Sequence, residues 1–127
     1  FNGMGAYPEV DAQYLTLARE LSQLGTAYVH LLDHSPLGAP PVPTELKRGM
    51  RAAFKGVFIL AGGYDRPSAE RALEAGEADL IAFARPFIAN PDLPARLQAD
   101  AALNPLDMAT FYTPGPKGYT DYPTLNA

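Results

Sequence analysis

Apolar residues at Val10, Tyr14, Leu17, Leu21 and Leu24 recur at intervals of 4, 3, 4 and 3. That is one face of an α-helix and predicts a helix over 8–24, with a core-facing stripe in YLTLARELSQL. Gly25 follows where a helix end favours positive φ. The uncharged run TAYVHLL, 26–32, predicts a buried strand. In DHSPLGAPPVP, 33–43, five of eleven positions are Pro or Gly, which makes it a loop. Thr44 is placed to cap a helix reaching about Phe54. GVFILA, 56–61, reads as a second strand and GGYDRP as a turn. Pro67 then opens a helix that Gly76 stops. DLIAF, 79–83, reads as a third strand. Asn90 caps a last helix, with Pro91 in its first turn, ending near Ala99. The tail from Asn104 is irregular and rich in Pro, Gly and Tyr.

Strands thus start about every 23 to 30 residues with a helix between. This is the rhythm of βα units around a parallel sheet. Near-continuous apolar strands predict cover on both faces of it. The fold class is α/β, and two architectures share the rhythm: a small doubly wound sheet, or three staves of an eight-stranded TIM barrel. A dinucleotide fold would carry G-x-G-x-x-G at a strand end; Gly62-Gly63 lacks the third glycine. In a barrel, function lies at the C-terminal ends of strands, often with a phosphate held by the last two. One strand runs out into Gly62-Gly63 and the next into Ala84-Arg85. Glycine-turn and helix-start N–H groups with an arginine fork suit an anion. The plainer alternative is a tight turn and a surface ion-pair partner.

Composition narrows the picture further. The 127 residues fit one ordinary domain, and 47% are apolar. A net charge of −4 argues against a nucleic-acid surface. The absence of cysteine excludes disulfides and thiolate metal sites, and fits a cytoplasmic protein. No apolar run is long enough to span a membrane. The chain starts at Phe1 rather than Met, which suggests a piece of a longer protein. No metal site is expected.

LILAGGYD, DLIAFARPFIANPDLPARL, ATFY and GYTDYPTL closely resemble the C-terminal third of Old Yellow Enzyme family alkene reductases, of the N-ethylmaleimide reductase type. The resemblance runs over essentially the whole chain. It implies that 1–127 is the C-terminal portion of one FMN-binding (β/α)8 domain. Segments 29–32, 57–61 and 80–83 would be strands six to eight, with strands one to five absent. It implies FMN, NAD(P)H as reductant, and hydride transfer to activated C=C bonds in enones, maleimides or nitroalkenes. Gly62, Gly63, Ala84 and Arg85 would hold the FMN phosphate. Ala84 stands where the family usually has glycine, which matters only if that residue needs positive φ. Phe111 and Tyr112 match an aromatic pair beside the flavin, facing the substrate. Phe1 matches an aromatic in the loop after strand five that also faces substrate.

The resemblance assigns no catalytic residue to this chain, because the family's tyrosine proton donor and its histidine or asparagine pair lie upstream of Phe1. Its partners would be the N-terminal portion of the same barrel and a small activated alkene. Three staves alone would expose two sheet edges and an apolar inner face. Tyr119, Asp121 and Tyr122 read as residues that pin the tail. His30 reads as a buried strand residue and His34 as exposed. Two readings compete with the reductase. One is another FMN barrel oxidoreductase. The other is a non-catalytic phosphate-binding half-barrel or inactive remnant.

Overall fold

A computed structural model describes residues 7–125; Phe1 lies outside them. The chain divides into two units, Phe1–Ala82 and Phe83–Ala127. In the first, α1 (Val10–Gln23), β1 (Tyr28–Leu32), α2 (Thr44–Ala53), β2 (Val57–Ala61), α3 (Arg66–Glu74) and β3 (Leu80–Ala82) follow one another. The strands form a parallel sheet in the order β1-β2-β3. Leu32 lies beside Ala61 in one pair, and Ala61 beside Ala82 in the other. All three strands therefore end on the same side of the sheet.

Alternation along the strands sorts the side chains onto two faces. Phe58 and Leu60, with Val29, Leu31 and Ile81, pack under the helices with Phe54, Met50, Leu46 and Ala18. Among the described residues the opposite face is open. Tyr28, Leu32, Val57 and Leu80 are all exposed there, and so is His30. The expectation of cover on both faces is thus met on one face within this chain, and His30 is not buried. Residues 28, 30 and 32 share a face by strand period, so an open face exposes the histidine along with its apolar neighbours.

Helix α1 packs through Leu15, Ala18 and Leu21, while Tyr14, Leu17 and Leu24 stay exposed. The packed stripe is rotated from the one the spacing suggests. Gly49 sets the contact: a Cβ there would lie 2.6 Å from Leu15 Cδ2, so α1 and α2 meet closely at a glycine. Thr44 is the first residue of α2, with Pro43 before it as cap. The 33–43 loop includes one 3-10 turn, Ser35–Leu37.

The second unit contains α4 (Arg85–Ala89), α5 (Leu93–Ala99), a 3-10 turn at Met108–Thr110 and a long irregular tail. Helix α4 was not foreseen. Asn90 ends it rather than capping the next helix, which Asp92 precedes instead. Among the described residues no helix is long and apolar enough to cross a membrane, and no group of three or more His, Asp or Glu side chains is arranged to hold a metal.

Candidate functional site

Gly62 and Gly63 leave the end of β2 with φ of 115° and 70°, a region side chains rarely adopt. A Cβ on Gly62 would run into the Asp33 carbonyl, and one on Gly63 would come within 2.6 Å of Pro36 Cγ. The glycine turn is therefore shaped first by the loop that follows β1. Asp33 organises that loop. Its N–H donates to the Ala61 carbonyl at 2.9 Å. Its buried carboxylate accepts from the Ser35 N–H at 2.9 Å, the Val42 N–H at 3.3 Å and Lys47 Nζ at 2.7 Å. Burial pushes this carboxyl's pKa up, but the bonds from Lys47 and Ser35 outweigh it and hold it below the usual range. Sequence reasoning missed Asp33. The signal was present: an Asp two residues before Ser35 in a Pro-rich loop has Asx-turn spacing.

Beyond the glycines, Asp65 caps α3. It accepts from the Ser68 N–H at 2.9 Å, and the Asp65 N–H donates back to Ser68 Oγ at 3.0 Å. The Ser68 hydroxyl and N–H hold the Asp65 carboxyl below its ordinary range. This cap occupies the start of α3 with a carboxylate. An anion at this side of the sheet would meet the Gly62-Gly63 backbone and not that helix N-terminus.

In the second unit, Ala84 precedes α4 with φ −108°, so no positive φ is required there and alanine sits without strain. Arg85 is the first residue of α4 and is exposed. The chain thus runs from the β3 end through Ala84 to an exposed guanidinium within three residues of Ala82.

Phe111 and Tyr112 line a groove of about 640 Å³ together with Phe87, Ile88 and Tyr119. Tyr112 is 98% exposed and Tyr119 81%. Sequence reasoning placed Tyr119 with the residues that pin the tail; the structure puts it in the groove wall instead. Its neighbours keep the pinning role: the Gly118 N–H donates to Asp121 at 2.7 Å, and the Asp107 N–H to the Tyr122 hydroxyl at 3.1 Å. Phe87 and Ile88 were missed because they sit in the unforeseen helix α4. His34 is half-buried rather than exposed.

A second cleft, of about 460 Å³, is lined by Lys47, Arg48, Arg51 and Tyr64. Its cations are already paired with Asp33, Glu45 and Asp79, which leaves little attraction for an outside anion.

The model of the NADH:flavin oxidoreductase / NADH oxidase family matches residues 6–104. The chain belongs to this family. Its relatives include proteins of the Old Yellow Enzyme group that the sequence motifs resemble. It is 42% identical to 12-oxophytodienoate reductase 2 of Arabidopsis thaliana, over 92% of this chain and 32% of that protein. Identity is 43% to putative 12-oxophytodienoate reductase 13 of Oryza sativa subsp. japonica, over 91% of this chain and 35% of that protein. Among solved structures, morphinone reductase superposes with a TM-score of 0.89 at 43% identity, covering 95% of this chain and 33% of that one. The old yellow enzyme from Trypanosoma cruzi gives 0.82 at 34% identity, covering 94% and 31%. The chain therefore spans about a third of the length of these relatives. The fold is α/β with a parallel sheet, and its structural neighbours are barrels of this flavoenzyme family.

Proposed function

We propose that this chain is the C-terminal portion of an FMN-dependent ene-reductase, contributing strands six to eight of the barrel, the phosphate cradle for the flavin, and one wall of the substrate pocket. Gly62, Gly63, Ala84 and Arg85 are the cradle. The observation that carries the reading is the pair of adjacent parallel strand ends. One opens into two positive-φ glycines, and the other leads to an exposed arginine at a helix start.

The residues fit the group. At the glycine turn the backbone can approach a phosphate with no side chain between. The guanidinium offers a planar, permanently charged fork matched to phosphate oxygens. FMN, when bound, supplies the hydride chemistry between NAD(P)H and an activated C=C bond. One of the solved relatives is morphinone reductase in complex with tetrahydroNAD, which supports a nicotinamide reductant here. Phe111 and Tyr112 orient the substrate with aromatic surface and a phenol, and they exclude water from the reacting face. No proton donor is assigned within 1–127. The remaining strands of the barrel, in a separate chain or a preceding segment, supply it and cover the open sheet face. The lack of cysteine suits a cytoplasmic setting.

Replacing Arg85 by alanine tests the cradle. Charge-assisted hydrogen bonds of this kind contribute about 1.5–3 kcal/mol. The Arg85→Ala protein should therefore retain FMN about ten- to a hundredfold more weakly, read from flavin absorbance after dialysis. Turnover per bound flavin should change less. Unaltered flavin occupancy would remove Arg85 from the cradle.

A further inference from the structure

We propose that Arg96 is a positioning residue that holds the Phe111-Tyr112 wall in place by clamping the base of the loop that carries it. The proposal rests on the reading of that wall as a substrate surface. The loop runs over 105–122, and both of its ends meet one polar cluster. Arg96 is 5% exposed, and it spends its guanidinium in three directions. Nε donates to Asp92 Oδ1 at 2.7 Å, Nη1 to the Ala102 carbonyl at 2.6 Å and Nη2 to the Pro123 carbonyl at 2.8 Å. One side chain thus ties the segment entering the loop to the segment leaving it.

Asn104 repeats the closure. Its Nδ2 donates to the Pro123 carbonyl and to the Ala89 carbonyl, each at 2.8 Å. Its N–H donates to Oδ1 of the buried Asn90 at 2.8 Å, and Asn90 Nδ2 donates to the Pro86 carbonyl at 2.7 Å. Asp92 completes the set by accepting the Leu125 N–H at 2.7 Å. The bonds from Arg96 and Leu125 hold its carboxyl below the usual range. The clamp therefore reaches α4, which carries Arg85 at its start and Phe87 and Ile88 in the groove.

Apolar burial does not fix this loop. Met108, Tyr112 and Tyr119 are exposed, and Thr110 is the buried residue between Asn104 and Pro123. With so little core of its own, a loop of this length is placed by its closed base. Arginine suits the task because its planar fork serves separated acceptors at once, where lysine offers one compact charge.

The test is made on the flavin-loaded protein that contains this chain, with Arg96→Lys and, in case that variant does not fold, Asn104→Ala, which removes the Asn104 bonds to Pro123 and Ala89 while leaving those of Arg96. Hydrogen exchange should quicken about tenfold or more across 105–122 in either variant, with the amides of β1 and β2 unchanged. The KM for 2-cyclohexenone should rise about tenfold, with kcat and flavin content close to those of the parent. Wild-type exchange in the loop would overturn the clamp. A mobilised loop with an unchanged KM would confirm the clamp as a structural device but overturn its positioning role, and with it the substrate-wall reading of Tyr112.

Discussion

Tyr112 buries almost none of its ring in this chain, so its aromatic surface does little for the stability of the unit that carries it. A bare ring in a groove with Phe111, Phe87 and Ile88 is suited to contact with something outside the chain. Removing only the phenol separates the two parts of that contact. Tyr112→Phe should shift the ratio of kcat/KM between an enone and a nitroalkene by up to about tenfold, the value of one hydrogen bond, while FMN stays bound. Loss of flavin in that variant would mean the ring faces the cofactor's binding groups instead. Single residues were also where sequence reading failed. Its place inside a strand reads as burial for His30, yet the strand period puts it on the open face. Asn90-Pro91 has the composition of a helix start, but Asn90 is buried and bonded to Pro86 and Asn104, a tertiary role that local sequence does not display.

Among the elements, α1 was legible from its period, the strands from short apolar runs, and α2 and α3 from their start and stop residues. Helix α4 was not, since five residues that include a proline give no periodic signal. The glycine turn after β2 was legible as a turn, and the structure adds why it must be glycine. Gly62 combines positive φ with the Asp33 carbonyl in the space a Cβ would take, whereas Gly76 has positive φ in open space. The two sites make a matched pair. Gly76→Ala should cost about 1 kcal/mol, the conformational part alone. Gly62→Ala should cost about 2–4 kcal/mol, since the loop after β1 must also move, and it should release FMN. Chemical denaturation of the two variants decides this. Equal costs would mean that the Asp33 loop yields freely and does not shape the cradle.

At the scale of the molecule, the sheet has one packed face and one open face among the described residues. Tyr28, Leu32, Val57 and Leu80 present apolar surface with nothing in 7–125 to cover it, and the chain spans about a third of its relatives' length. The proposed function accounts for both facts: on that proposal, the remaining strands close the barrel over this face and bring the groups that hold the rest of the flavin. The sequence carried the family and the parallel α/β sheet through its motifs and the rhythm of its strands. It could not show that Asn90 and Arg96 brace the site, because both act through partners distant along the chain; for Asp33 it held only the Asx-turn spacing to Ser35. The most direct test is native mass spectrometry of this chain produced together with the other two thirds of the barrel. The account predicts one complex of the two pieces carrying one FMN, lost when Arg85 is alanine. A stable, flavin-free 127-residue species that ignores the other piece would contradict it.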